Sequence, residues 1–288
     1  MPFTTLVTVE QLQDHLEDPA WRVIDVRHDL MDATVGPRAY EAGHIPGAVF
    51  AHTDDDLSGR KTGRNGRHPL PERDELVQAL RRWGVDDDTQ VVAYDANGGN
   101  FAVRLWWLAR WLGHTRVAVL DGGWPRWLAV TGLSSTEVPA RAPGRFTDRS
   151  SSMPLVRAED VVRNLATRER LVLDARTPER YRGEQEPIDP VAGHIPGARN
   201  RPWQRNLEAD QTFKSPQALR QEFEAALGST PPSRVVHQCG SGVTACHNLL
   251  AMEIAGLAGS ALYAGSWSEW IADPARPVAT GDETAAAR

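Results

Sequence analysis

The chain is poor in cysteine. It has two thiols in 288 residues, Cys239 and Cys246, and both fall in one short segment. That scarcity excludes a disulfide framework and suits a reducing compartment. A bond between the two would span nearly two helical turns, roughly 10 Å, beyond a disulfide's reach. No apolar run approaches the ~18–20 residues of a membrane span, and Met1 to Leu12 lacks the apolar core of a secretory signal. Basic residues are scattered and the net charge is −6, which argues against a nucleic-acid partner. A cytoplasmic protein with no membrane association is therefore expected.

What is present is a globular composition, 41% hydrophobic and 24% charged, and a length of 288 that fits two ordinary domains. The chain also repeats itself. Ala42-Gly43-His44-Ile45-Pro46-Gly47-Ala48 returns as Ala192-Gly193-His194-Ile195-Pro196-Gly197-Ala198, an offset of 150. Val23 to Arg27 returns as Val172 to Arg176, an offset of 149, and Val91 to Asp95 aligns with Val235 to Cys239, an offset of 144. Gly122-Gly123-Trp124-Pro125-Arg126-Trp127 aligns with Gly265-Ser266-Trp267-Ser268-Glu269-Trp270, an offset of 143. Four blocks in one order with drifting offsets mean a duplicated domain, far longer than a solenoid unit.

Within each half, short apolar runs alternate with amphipathic segments, the pattern of an α/β domain with a mainly parallel sheet flanked by helices. The runs predict strands over Arg22–Val26, Gln90–Tyr94, Arg116–Leu120, Leu171–Asp174, Arg234–Gln238 and Ser260–Tyr263. Helices are predicted over Pro71–Trp83, Phe101–Leu112, Pro216–Leu227 and Gly242–Ala255, stopped by Gly84, Gly113, Gly228 and Gly256, with Ser215 as an N-cap. Ser134 to Pro154 is weakly periodic and rich in Ser, Pro, Ala and Arg, which reads as a linker.

The most informative segment is Val235 to Ala245, where an apolar run ends on Cys239 and a glycine-bearing loop opens a helix. A thiol there faces unpaired backbone N–H groups and the positive end of a helix dipole. Surroundings of that kind lower a thiol pKa from ~8.5 into the range ~3.5–7.5. Gly240 and Gly242 let the backbone curl, so that N–H groups of Gly240, Gly242, Val243 and Thr244 can point at a sulfur anion, and Ser241 and Thr244 can add hydroxyl donors. A buried structural cysteine would also fit the end of a strand. Cys246 falls on the apolar face of the following helix and reads as core. Two further absences narrow the chemistry. A cysteine phosphatase needs an arginine six positions after its cysteine, and Ala245 stands there. A redox Cys-x-x-Cys would need a thiol where Gly242 stands. In the first half, Asp95 takes the place of Cys239 and reads as a polar cap on the helix that starts near Asn100.

Cys239-Gly240-Ser241-Gly242-Val243-Thr244-Ala245 resembles the active-site loop of the 3-mercaptopyruvate sulfurtransferases. The paired Gly-His-Ile-Pro-Gly motifs and the Gly265 to Trp270 block resemble the tandem rhodanese-type sulfurtransferases generally, and the likeness runs from about Thr8 to Pro274. It implies a rhodanese-like domain without a catalytic cysteine over residues 1–135, a linker over 136–153 and a catalytic rhodanese-like domain over 154–288. It further implies a persulfide on Cys239, with Ser241 in the catalytic loop and no metal or organic cofactor. A small anionic sulfur donor would be the substrate, and cyanide, thioredoxin or another thiol the acceptor. Arg180 matches the arginine that related enzymes use on substrate, and Arg182, two residues on, could assist. His68 matches a histidine near the loop serine, and Asp56 is the nearest acidic match. His44 and His194 sit at repeated positions and suit a shared turn, while Asp25 and Asp174 suit bonds to loop backbone.

The chain departs from the family in three places. Ile188 stands where the mercaptopyruvate enzymes carry a second substrate arginine, Gly240-Ser241 stands where thiosulfate enzymes carry two cations, and Ala264 replaces a frequent aspartate. Mercaptopyruvate is the expected donor, with thiosulfate as the alternative. A persulfide carrier or a non-catalytic binding module is the reading from a different class.

Overall fold

The computed structural model describes residues 1–151 and 153–282. The chain divides into two compact units. The first gathers residues 1–59, 71–152 and 207–213, and the second gathers 60–70, 153–206 and 214–288.

The first unit has strands β1 (Leu6–Val7), β2 (Trp21–Asp25), β3 (Val49–Phe50), β4 (Gln90–Tyr94) and β5 (Val117–Leu120), all parallel, in the order β1-β5-β4-β2-β3. The second has β6 (Leu155–Val156), β7 (Leu171–Asp174), β8 (Arg199–Asn200), β9 (Val235–Gln238) and β10 (Ala261–Tyr263), parallel in the equivalent order β6-β10-β9-β7-β8. The duplication read from the motifs is therefore a duplication of topology. The central strands β4 and β9 are buried along their whole length, as expected for apolar runs covered on both faces.

Helices α1 (Val9–Asp14), α2 (Val35–Ala42), α3 (Arg73–Arg82), α4 (Ala102–Trp111) and α5 (Gly123–Thr131) belong to the first unit. Helices α6 (Ala158–Thr167), α7 (Pro178–Arg182), α8 (Pro216–Leu227), α9 (Ala245–Ile254) and α10 (Ser266–Trp270) belong to the second. The Ser215 hydroxyl caps α8 by accepting from the Ala218 N–H at 3.2 Å. Gly84, Gly113, Gly228 and Gly256 all lie at positive φ just beyond helix ends, where a glycine stops a helix without steric cost. Helix α9 starts at Ala245 rather than at Gly242, because the three residues before it are needed by the loop.

Each unit buries its own core. Val92, Tyr94, Ala118, Leu120 and Trp127 pack together in the first, and Val172, Val236, Tyr263, Trp267 and Trp270 in the second. The segment after Ser134 forms no regular element among its described residues, yet it is no free linker. Phe146 is buried, and its N–H donates to the Val85 carbonyl at 3.1 Å. Sparse apolar residues had hidden that anchoring. No helix of the described residues is long and apolar enough to cross a membrane.

Candidate active site

The site in the second unit is built where β9 ends. Cys239 follows Gln238, is buried, and its Sγ accepts the Gly242 N–H at 3.1 Å. Gly242 lies at φ +77°, and a methyl group there would collide with the Ala264 carbonyl. Glycine is required at 242 for conformation and for space. Gly240 is different: it does not lie at positive φ. Of the four expected loop amides, Gly242 supplies the one that reaches the sulfur. Val243 and Thr244 instead offer their carbonyls to the N–H groups of Cys246 and His247, each at 3.1 Å, which starts α9.

The loop is strapped to the first turn of α10. Trp267 N–H donates to the Cys239 carbonyl at 3.0 Å and Ser268 N–H to the Gly240 carbonyl at 2.9 Å. The Ser266 hydroxyl accepts the Cys239 N–H at 3.0 Å and donates to the Tyr263 carbonyl at 2.9 Å. Ser266 sits at φ +53°, a conformation unfavourable for a residue with a Cβ. Its repeat partner is Gly123, at φ +55°, and Trp124 N–H likewise donates to the Asp95 carbonyl at 2.8 Å. Ser266 was missed in the sequence, although a serine in place of a glycine at a repeated turn was a usable signal.

Residues 60–70 belong to the second unit and bring His68 to Ser241. Ser241 Oγ lies 2.7 Å from His68 Nδ1, and both residues are buried. Asp56 belongs to the first unit, where its carboxylate accepts from Arg82 Nη2 and from the His52 N–H, both at 2.8 Å. The Asp56 side chain is mostly buried, while that of Arg82 is exposed. Cys246 is fully buried on α9, and its thiol donates to the Gly242 carbonyl at 3.4 Å.

Helix α7 carries the two expected arginines and separates them. Arg180 donates Nε and Nη2 to Glu186 Oε1 at 3.0 and 2.8 Å, and Nη2 to Asp189 Oδ2 at 3.0 Å. Its guanidinium also reaches the loop, ending 3.4 Å from where a Cβ on Gly240 would stand. Arg182 turns elsewhere and gives Nε and Nη2 to Glu184 at 2.8 and 2.9 Å. The sequence reading had not singled out Arg67, which pairs with Asp189 and ends 3.0 Å from the same Gly240 position. Arg176 completes the cluster, pairing with Asp174 at 2.7 Å and with Glu186 at 3.3 Å. Three guanidinium groups thus face three carboxylates, Asp174, Glu186 and Asp189. Burial raises the Asp189 carboxyl above its ordinary range, and Arg67 pulls it back.

In the first unit the corresponding loop holds a carboxylate. Asp95 is buried and accepts the N–H groups of Asn97 and Gly99 on Oδ1, at 2.8 and 3.0 Å, and of Phe101 and Ala102 on Oδ2, at 2.7 and 2.9 Å. Burial raises its carboxyl against the pull of those four donors. The repeated His44 and His194 occupy matching turns, stacked on Tyr40 and Tyr181 at 3.9 and 3.8 Å. Asp25 and Asp174 each accept a backbone N–H two residues on, at 2.9 Å, and grip Arg27 and Arg176.

Fold and loop together define a duplicated α/β protein with one cysteine-bearing anion cradle, and known proteins share the arrangement. The family described as Rhodanese-like domain matches residues 8–130 and 157–273. A probable 3-mercaptopyruvate sulfurtransferase of Pseudomonas aeruginosa is 47% identical over 98% of this chain and 100% of its own. The thiosulfate sulfurtransferase of Rattus norvegicus is 32% identical over 97% of this chain and 96% of its own. Among solved structures, the 3-mercaptopyruvate sulfurtransferase from Leishmania major aligns with a TM-score of 0.82 at 27% identity, covering 93% of this chain and 74% of that one. The chain belongs to the tandem rhodanese-domain sulfurtransferases.

Proposed function

We propose that this sulfurtransferase takes sulfur from 3-mercaptopyruvate, carries it as a Cys239 persulfide and passes it to a thiophilic acceptor such as cyanide, thioredoxin or a small thiol. The supporting observation is the buried Cys239 sulfur, which receives the Gly242 N–H at 3.1 Å and is followed two residues later by a serine 2.7 Å from His68. That amide is already aimed at the reacting sulfur and costs no reorganisation when the sulfur exchanges partners.

In the first half-reaction the Cys239 thiolate attacks the donor sulfur. The carbon–sulfur bond breaks, its electron pair leaves as the pyruvate enolate, and the donor's thiol proton ends on that carbon to give pyruvate. Cys239–S–S⁻ remains, with charge unchanged. Ser241 and His68 carry the proton between sulfur and carbon. In the second half-reaction cyanide attacks the outer sulfur, thiocyanate leaves, and the Cys239 thiolate is restored. Arg180, beside Gly240, binds the donor's anionic end.

Donor choice follows from charge. The arginine cluster around Gly240 is balanced by Asp174, Glu186 and Asp189, so it offers directed N–H groups but little net positive charge. A monoanionic carboxylate suits that site better than the compact thiosulfate dianion. Thiosulfate is the second reading, favoured by the rat relative and by Ile188 in place of an arginine.

The test is a donor comparison with cyanide as acceptor, together with mass spectrometry after donor treatment alone. A higher kcat/KM for mercaptopyruvate is expected, with about 32 Da added on a Cys239 peptide and removed by cyanide. Cys239→Ser should abolish transfer and Cys246→Ser should keep most of it. Turnover by the Cys239 variant would overturn the mechanism, and a preference for thiosulfate would reassign the donor.

A further inference from the structure

We infer that Arg67 is a donor-binding residue, and that Arg67 and Arg180 together hold the anionic group of the sulfur donor over Gly240. The inference deepens the function proposed above and depends on it only for the identity of the anion.

The position of Arg67 is fixed by its own backbone. Its N–H donates to Ser268 Oγ at 3.0 Å, in the turn of α10 that also straps the Cys239 loop. Gly66 beside it, at φ +84°, lies so close to Gly265 that a Cβ there would stand 2.8 Å from the Gly265 carbonyl oxygen. The segment before His68 is thereby pinned next to the nucleophile's loop.

Asp189 then sets the two side chains in parallel. Its Oδ1 accepts from Arg67 Nη1 and its Oδ2 from Arg180 Nη2, so one buried carboxylate braces two guanidinium groups. The brace does not use up their donors. Arg67 Nε is buried and has no hydrogen-bond partner among the described residues. Arg67 Nη2 ends 3.0 Å from the place of a Cβ on Gly240, and Arg180 Nη2 and Nη1 end 3.4 and 3.5 Å from it. Since Gly240 is not at positive φ, its missing side chain matters for room rather than for conformation. The room lies directly after the nucleophile, between two forks built to grip oxyanions. Both side chains remain partly accessible, 24% for Arg67 and 16% for Arg180, enough for a small molecule to reach them. A fold needing Arg67 only as a strut for Asp189 would have no use for donors aimed over Gly240.

The experiment compares Arg67→Ala, Arg67→Lys and Arg67→Gln with the native chain, using 3-mercaptopyruvate and its methyl ester as donors and cyanide as acceptor. With the acid, Arg67→Ala should raise KM and lower kcat/KM roughly 10- to 100-fold, and lysine should restore part of the loss. With the ester, which lacks the carboxylate, the change should stay below about threefold. An ester ignored even by the native enzyme, with the acid lost 10- to 100-fold at an unchanged melting temperature, supports the same assignment. Equal losses on acid and ester would reduce Arg67 to a structural strut, and an unchanged KM for the acid would remove it from the site. Arg67→Gln, which keeps a donor for Asp189, carries the test if the alanine variant is unstable. Should the native enzyme reject mercaptopyruvate and use thiosulfate, the donor reading falls separately. Arg67 is then supported by a comparable loss on thiosulfate and overturned by retained turnover.

Discussion

Replacing Gly242 by alanine separates the stability of the loop from its chemistry. The added methyl would strike the Ala264 carbonyl oxygen and stand 2.8 and 3.0 Å from its carbonyl carbon and Cα. These are backbone atoms and cannot swing aside. The φ of +77° adds ~1–2 kcal/mol for an L side chain in the left-handed region. Removing a glycine from the unfolded chain returns ~0.4–1 kcal/mol, which does not offset it. Relief must come from moving the loop away from Ala264. That movement withdraws the N–H now 3.1 Å from the Cys239 sulfur and the carbonyl that accepts from Cys246. A net loss of about 1–3 kcal/mol follows, or a melting temperature lower by roughly 3–8 °C. Loss of one preorganised donor to an anion costs ~100–1,000-fold in rate. Gly242→Ala should therefore stay folded at assay temperature while kcat/KM falls at least ~100-fold. Thiocyanate formation, thermal unfolding and single-turnover persulfide loading by mass spectrometry measure the three quantities. A variant within threefold of native turnover would show that the amide contact on the sulfur contributes nothing.

Arg180→Ala should lower kcat/KM for the donor roughly 10- to 100-fold, whereas Arg182→Ala, losing only its pairing with Glu184, should change it less than about threefold in the same assay. Ser266→Ala leaves the buried Cys239 N–H without its acceptor and should cost ~1–3 kcal/mol in denaturant unfolding, whereas Ser266→Gly relieves the positive φ and should cost less by about 1 kcal/mol. An alanine variant as stable as the glycine one would remove the strain argument. His237, buried in β9, has its pKa pushed down from 6.5 to about 3, first by burial and then by the charge of Arg201. The unfolded chain takes up that proton below ~6.5 while the folded one does not, so stability is full above pH ~6.5 and falls as pH drops towards 3. The His237 contribution to that fall is on the order of 5 kcal/mol. His237→Leu should flatten this acid limb in a series of melting temperatures, and an unchanged slope would show that other groups set it.

The sequence made the central elements legible because their signals are local. Gln90–Tyr94, Leu171–Asp174 and Pro216–Leu227 match their predicted bounds, each marked by an apolar run or a cap. The two-residue edge strands β1, β3, β6 and β8 were not foreseen, since two residues show no alternation and pair only through neighbours far along the chain. Cys239 and Ser241 could be chosen from the loop itself, His68 and Arg180 only through the likeness to the sulfurtransferases. Arg67 could not, because its part in the site comes from a hydrogen bond to Ser268, 201 residues away. Asp56 and Arg182 were the acidic and basic candidates, and they pair with Arg82 and Glu184. Charge near a motif does not say which way a side chain turns.

Asp95 gives the duplicated loop a permanent guest. In the first unit a carboxylate fills the anion cradle and never leaves, so that unit is an internal cast of an occupied loop. Its four gripping amides, at Asn97, Gly99, Phe101 and Ala102, correspond through the 144-residue offset to those of Ser241, Val243, Ala245 and Cys246. In the second unit the Cys239 sulfur stands at the position of Asp95 and accepts the Gly242 N–H instead, so the two loops share a place in the fold but not a set of donors. The first half therefore closes its loop with a fixed charge gripped by four amides, and the second leaves its sulfur with one.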